Sequence, residues 1–324
     1  MKFKTTAIAL AVAGIVAAPV AVQAGADEVY ASARVGIKYT DAKLTDTSTA
    51  ATSDFDVKSF ASRFGMRGET DLGNGMTGFG RYEFGVNDTS AAKDNNGDGD
   101  NDTNNAFSNR HLYVGLKGDF GSVLMGQTYH TFYNYVVGPL DNPWWHSTNT
   151  MVESVGRTSN GITYAGGAGA ISFGATAYFS RDAVNETAPD ALELGASFAV
   201  GDSTIGVGYR SVDADGAVKT QGNGTDEDVM AVAWSGIGIG NTTLGVSYMN
   251  QDKDNGIVVD WAIGNAYVHL ETVDYDAADQ APMDLTLGYT QSLGRKTTMY
   301  YEFNNRDPDS SDSDDDYMAV MAVL

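Results

Sequence analysis

The sequence predicts an all-β fold, an antiparallel β-barrel of about sixteen strands that crosses a membrane. Three observations point there. The chain divides into about sixteen short stretches in which apolar and polar residues alternate, each closed by Gly, Asn or Asp. An export signal precedes them. The segments between them are alternately short and long. A strand that crosses a bilayer needs only roughly 9–11 residues and must send alternate side chains to lipid and to lumen. Leu285, Leu287 and Tyr289 alternate in this way with Thr286, Gly288 and Thr290. So do Ile205, Val207 and Tyr209 with Thr204, Gly206, Gly208 and Arg210, and Met299, Tyr301 and Phe303 with Thr298, Tyr300, Glu302 and Asn304.

At the N-terminus, Lys2 and Lys4 precede an apolar stretch at 7–22 and a small-residue cleavage site, Val22-Gln23-Ala24. Residues 1–24 therefore read as a signal peptide, with cleavage after Ala26 as the alternative, and 25–324 as a single barrel domain. No later run of about 18 apolar residues offers a helical span. The chain has no Cys, so an exported protein of this sequence draws its stability from backbone pairing instead of disulfides. Its formal charge is −22, and removal of the two signal lysines makes the mature chain −24. Nucleic acid is excluded as a partner, because binding phosphates needs clustered Lys and Arg. The acid concentrates at 88–102, 213–228 and 307–316. With 38 Gly and only 6 Pro, the chain suits a tightly turning barrel in which Pro would remove ladder hydrogen bonds.

Taken in order, alternation places the first strand at 28–40. Strands 58–70 and 76–88 meet at Leu72-Gly73-Asn74-Gly75, 107–118 and 122–129 at Asp119-Phe120-Gly121, and 157–166 and 170–180 at Gly167-Ala168-Gly169. Strands 190–200 and 203–213 meet at Gly201-Asp202, and 227–236 and 242–251 at Gly238-Ile239-Gly240-Asn241. Then come 257–263 and 266–275 around Gly264-Asn265, 283–293 and 297–306 around Gly294-Arg295-Lys296, and finally 316–324. The longer connections are 41–57, 89–106, 130–156, 181–189, 214–226, 252–256, 276–282 and 307–315. Short turns on one rim and longer loops on the other match periplasmic and external faces. Tyr30, Tyr39, Tyr82, Phe84, Tyr113, Tyr164, Tyr178, Trp234, Tyr248, Tyr267 and Tyr289 lie near strand ends, where interfacial girdles belong. A soluble β-sandwich also alternates, but sixteen segments behind a signal favour closure in a membrane. One strand is inconsistent: Leu112, Val114 and Leu116 share the face of Arg110. Either its parity breaks, or those side chains pack under a loop folded into the lumen.

Five stretches resemble the trimeric general porins of Gram-negative outer membranes. They are 29–39 (VYASARVGIKY), 62–75 (SRFGMRGETDLGNG), 77–84 (TGFGRYEF), 109–117 (NRHLYVGLK) and 120–127 (FGSVLMGQ). The remainder matches in strand rhythm alone. The resemblance implies a 16-stranded homotrimeric barrel whose third external loop folds inward to narrow the channel. It also implies a cell-outer-membrane location, with outer-membrane lipid and lipopolysaccharide around the wall. The chain departs from the family pattern with Ser32 in place of an Arg, Pro143-Trp144-Trp145 in the inward loop, and a terminal Leu324 in place of Phe.

Parity turns Arg34, Lys38, Arg63, Arg67, Arg81 and Arg110 toward the lumen, with Val35, Ile37, Phe64, Met66, Tyr82 and Phe84 on the opposite face. A charge on the lipid face near the midplane costs roughly 2–4 kcal/mol, which forces the bases toward water. In porins such a row faces acids on the inward loop and makes a transverse field. The residues available for that constriction here are Asp141, Trp144, Trp145 and Glu153, while Glu69 and Glu83 stand on the wall itself. Alternatively the arginines pair with Glu69 and Glu83 and stiffen the wall. Aromatic residues Phe132, Tyr133, Tyr135, Trp144 and Trp145 either line the passage or anchor the loop, and anchoring is favoured.

In 94–102, Asp94, Asn96, Asp98, Asp100 and Asp102 place oxygen ligands at alternate positions, as in a Ca²⁺ loop, but Asn105 stands where a twelfth-position acid is needed. A solvated acidic loop is the simpler reading, and no other cofactor is expected. The sequence lacks Gly-x-Ser-x-Gly and His-Glu-x-x-His, and its four His are scattered, so an enzyme is not expected. The leading expectation is a water-filled channel for passive diffusion of ions and small hydrophilic solutes. A substrate-selective channel for anions or sugars, and a surface receptor or adhesion barrel, are the alternatives.

Overall fold

The computed structural model describes residues 28–42, 52–86, 107–143, 157–179, 189–212, 228–276, 281–307 and 317–323. Its strands form one antiparallel sheet. Strands β1 (Glu28–Ser32) and β2 (Val35–Ala42) are two halves of the first spanning strand. Strands β3 (Thr52–Ser59) and β4 (Ser62–Gly73) are the halves of the second, since β2 pairs with β3 and β1 with β4. There follow β5 (Met76–Val86), β6 (Phe107–Gly118), β7 (Gly121–Thr128), β8 (Thr158–Ala168), β9 (Ile171–Tyr178), β10 (Ala191–Val200) and β11 (Ser203–Val212). The set ends with β12 (Val229–Ile239), β13 (Thr242–Gln251), β14 (Asp254–Ile263), β15 (Ala266–Asp274), β16 (Met283–Gly294), β17 (Thr297–Asp307) and β18 (Tyr317–Val323). From β4 onward each strand pairs with the next in the chain. Strand β18 then pairs with β2, Met321 opposite Lys38, so the ladder returns on itself. The 18 segments thus make sixteen spanning strands, joined into a ring by the β18–β2 pairing.

The faces are inverted relative to a water-soluble core. Phe55, Val57, Val114, Leu194 and Met230 are exposed, whereas Glu83, Glu193, Arg210, His269 and Glu271 are buried. Apolar side chains face outward and charge faces inward, the polarity that a wall between lipid and water requires. Among the described residues no helix is long and apolar enough to cross a membrane.

Several strand ends differ from the alternation reading. The second spanning strand begins at Thr52, so much of 41–57 is strand instead of loop. The segment 252–256 is no loop: Asp252-Lys253 is a two-residue turn, with Asp252 at φ 50°, between β13 and β14. At the opposite rim Gly73, Asn74 and Gly75 take φ of 80°, 54° and 74°, a left-handed path that Gly and Asn adopt at small cost. The girdle assignment also fails for four residues. Tyr30, Tyr113, Tyr178 and Tyr267 share the lumen face with Arg81, Glu193 and Glu302, because position near a strand end says nothing about parity.

The ladder has two irregularities, and the second explains the inconsistent strand. Between Ser32↔Arg63 and Val35↔Ser59, the first spanning strand has two residues and the second has three. Here Ala61 sits at φ 56°, the Phe60 amide donates to Arg34 O at 2.8 Å, and the Arg34 amide donates to Ser62 Oγ at 2.9 Å. In β6 the register jumps from Glu83↔His111 to Phe84↔Asn109, leaving Arg110 as an extra residue. A bulge bends the strand and re-aims side chains. Arg110 and His111 therefore both face the lumen, and Leu112 and Val114 return to the lipid face, 48% and 52% exposed. Broken parity is the answer.

After β7 the chain turns into the barrel. A π-helical turn (Tyr133–Val137) runs into a 3₁₀ turn (Gly138–Leu140). These turns pack on β10 to β14. Phe132, Val136, Val137 and Leu140 join Val229, Ala231, Ala233, Met249, Val258 and Val273 in the buried apolar cluster of the molecule.

Candidate functional site

The lumen between the inward segment and the wall contains the charged residues, and the wall of β1 to β6 supplies most of the bases. Glu83 is their common partner, its side chain fully buried. Arg81 Nη2 donates to its Oε2 at 2.6 Å and Arg110 Nε to its Oε1 at 2.7 Å, while Arg63 Nη1 lies 3.9 Å from Oε1. Arg34 stands at the first bulge, its Nε donating to Ser32 Oγ at 2.8 Å. Four of the six bases expected from parity are thus gathered together. Arg67 is more exposed and pairs with Glu28, Nη2 to Oε2 at 2.5 Å. Lys38 faces Asp56 across the β2–β3 ladder, beside the Lys58–Asp56 ion pair at 3.6 Å. Glu69 binds Lys117 at 2.6 Å.

Arg157 escaped the sequence reading. Its guanidinium lies over the Tyr129 ring, 4.9 Å from the centroid, and Nη1 donates to Tyr129 Oη at 2.5 Å. Tyr129 stacks in turn on Tyr133, with centroids 3.9 Å apart and planes inclined by 12°. Tyr133 donates to Asp141 Oδ2 at 2.6 Å. Burial pushes the Asp141 carboxyl above the usual range, against the opposing pull of the Tyr133 hydroxyl. Burial and the Asp141 charge push the Tyr133 phenol up as well.

The inward segment is fastened at both ends. His130 bridges Thr163 Oγ1 and the Thr158 carbonyl, each at 2.8 Å, and burial lowers its pKa so that it stays neutral. Thr131, Thr176 and Thr163 continue the chain of hydrogen bonds at 2.8 Å each. The Phe132 amide donates to Glu193 Oε2 at 2.9 Å, while Tyr178 Oη donates to Glu193 Oε1 at the same distance. At the far end Asn142 Nδ2 donates to Asp260, whose other oxygen lies 3.1 Å from His269 Nδ1. His269 Nε2 lies 3.6 Å from Glu271.

Small residues make the seat. Gly174, Gly195, Gly208 and Ala231 stand directly opposite one another across four strands. A Cβ at Gly195 would fall 2.7 Å from the Tyr135 ring, and one at Gly206 only 1.9 Å from the Tyr135 carbonyl oxygen. Burying the four apolar side chains of the segment contributes on the order of 6–12 kcal/mol at roughly 1.5–3 each. The segment is part of the wall, not a free flap, in agreement with the anchoring role expected of Phe132 and Tyr135.

Trp144, Trp145 and Glu153 lie outside the described residues, as do Asp94, Asn96, Asp98, Asp100 and Asp102. Besides Arg157, sequence reasoning missed Glu193, Asp260, His269 and Glu271. Parity could have drawn notice to His269 and Glu271, which share one face of β15 with Tyr267 and Val273.

A family model described as Gram-negative porin matches residues 5–311. The major outer membrane protein P.IB of Neisseria lactamica is 32% identical over 129 residues, 38% of this chain and 32% of that protein. The Neisseria gonorrhoeae P.IB is 29% identical over 90 residues, 28% of this chain and 21% of that protein. The chain thus spans a third or less of the length of the curated relatives it matches. Among solved structures, Salmonella typhi OmpF in complex with daunomycin superposes with a TM-score of 0.67 at 15% identity, covering 92% of this chain and 98% of that one. The anion-selective porin from Comamonas acidovorans superposes with a TM-score of 0.66 at 16% identity, covering 91% and 99%.

Proposed function

The chain belongs to the Gram-negative porin family, and from that premise we propose an outer-membrane channel for passive diffusion of ions and small hydrophilic solutes. One observation carries the reading most. A ladder closed from β18 back to β2 presents apolar side chains outward and encloses the charged groups. Residues 1–24 serve as the export signal. Arg34, Arg63, Arg81 and Arg110, with Lys38 and Arg67 beyond them, form the basic side of the narrowest passage. Asp141, together with Trp144, Trp145 and Glu153, belongs to the loop side. Three copies associate through the outward face of the first spanning strand, where Ala31, Ala33, Val35 and Ile37 permit close approach. Lipid and lipopolysaccharide cover the rest of the wall. The test is single-channel recording in planar bilayers: the purified protein should give discrete conductance steps. A folded protein that inserts without conducting would favour the receptor or adhesion reading.

A second reading, preference for anions, is supported by charge. Arg63, Arg81 and Arg110 gather around one buried carboxylate, Glu83. Three guanidinium groups around one carboxylate carry a local positive excess, which raises the local anion concentration. A positive excess at the passage should show as a reversal potential of anionic sign in a salt gradient.

A further inference from the structure

Tyr129 and Arg157 meet because the ladder brings them together. Thr128 of β7 stands opposite Thr158 of β8 in the last pair at that end, so Tyr129 and Arg157 are the next residues beyond it on the two strands. Tyr133 follows Tyr129 by four residues, the spacing of one helical turn, and the two rings stack. The Arg157 guanidinium lies over the Tyr129 ring, 4.9 Å from its centroid, and Nη1 donates to the hydroxyl of the same residue at 2.5 Å. Tyr129 thus holds Arg157 by its ring and by its hydroxyl at once.

This neck of the inward segment adjoins the basic wall. Tyr129 packs edge-on against His111, with ring centroids 5.7 Å apart, and His111 stands directly opposite Glu83 on the neighbouring strand. Arg157 interacts electrostatically with Arg110, Glu83 and Arg63. Glu83 is already engaged by Arg81 and Arg110. Among the described residues no carboxylate forms an ion pair with Arg157, whose hydrogen bond is to a phenol. A carboxylate would cancel the guanidinium charge. A phenol, neutral below about pH 10, fixes the group in place and leaves the charge standing.

We propose that Arg157 is a further selectivity-determining residue of the passage and that Tyr129 is the residue that positions it. The proposal rests on the channel reading and deepens it: the basic arc of the wall continues past Arg110 to the neck of the inward segment. Anions passing between wall and segment therefore meet fixed positive charge on β4, β5 and β6 and again ahead of β8.

The experiment is reversal-potential recording in asymmetric KCl for the full protein, Arg157→Gln, Tyr129→Leu and the double variant. Arg157→Gln should lower the anion-to-cation permeability ratio by about twofold. The shift should survive at 1 M KCl, where the Debye length is about 3 Å and only charges bordering the path act. Tyr129→Leu should change the ratio of the unaltered protein and leave that of Arg157→Gln where it is, because its effect runs through Arg157. Arg157→Cys supplies the single thiol of a chain that has no cysteine. Its modification in the bilayer by a cationic methanethiosulfonate should restore anion permeability, and by an anionic one should lower it further, within one assembled channel. An unchanged ratio in Arg157→Gln, a shift that vanishes at 1 M, or reagents of either sign without effect would overturn the proposal, even where the heat-unfolding midpoint falls. A Tyr129→Leu effect that persists in Arg157→Gln would overturn the positioning role. An unaltered protein that does not conduct would overturn the channel reading instead.

Discussion

Glu83 is the residue on which the basic wall depends. It binds Arg81 and Arg110 in short ion pairs and has Arg63 within 3.9 Å. Removing one partner of a buried pair costs roughly 3–5 kcal/mol, because the charge left behind has no compensation. Glu83→Ala should therefore lower the heat-unfolding midpoint and raise anion permeability together, measured by heat modifiability and by reversal potential. Asp141 gives the matching prediction for pH. Its folded carboxyl titrates above the ordinary value of 3.8, chiefly through burial, and its Oδ1 has no hydrogen-bond partner among the described residues. A folded pKa above the unfolded one means the folded state holds the proton more tightly. That contribution is complete below about pH 4 and is lost as pH climbs through the raised value. Thermal unfolding followed from pH 4 upward should show a falling midpoint that flattens in Asp141→Asn. An identical slope in the variant would remove Asp141 from the account.

At the scale of elements, the inward segment tests the seat beneath it. Gly206→Ala places a Cβ 1.9 Å from the Tyr135 carbonyl oxygen, so the segment must move toward the barrel axis. Single-channel conductance should fall while the protein still assembles. Unchanged conductance would mean the segment does not border the passage. The strands and their order were legible from alternation and turn residues, because a closed barrel repeats one period from end to end, whereas the inward segment came from the resemblance to the general porins. The bulges were not legible. One inserted residue at Arg110 reverses every later side chain in β6, and alternation alone cannot say where an insertion falls. The tyrosines are illegible for a related reason: Tyr30 and Tyr267 reach acids two strands away, a distance in sequence of 53 and 35 residues. The burial of His269, Asp260 and Glu271 resists reading because the docked segment turns that part of the lumen face into an interior.

For the whole molecule, charge and assembly give the remaining predictions. The purified mature protein should be a heat-modifiable trimer, and a stable monomer in mild detergent without a crosslinked trimer would count against it. The precursor carries −22 overall, yet Arg34, Arg63, Arg81, Arg110 and Arg157 stand together on one side of the lumen. Much of the acid falls in segments 88–102, 213–228 and 307–316, which the channel reading assigns to external loops. Opposed fields in series make selectivity depend on salt. At 0.01 M the Debye length is about 30 Å and the acids reach the passage, whereas at 1 M it is about 3 Å and only the nearest charges act. Any preference for cations should fade as salt rises, and selectivity that stays flat would contradict two fields. The most direct test of the central claim compares the unaltered protein with Arg63→Gln/Arg81→Gln/Arg110→Gln by reversal potential across a KCl gradient at molar salt. The account predicts conducting channels in both and a clear shift toward cations in the variant. The same reversal potential in both would contradict it, since those three side chains would then not face the conducting path.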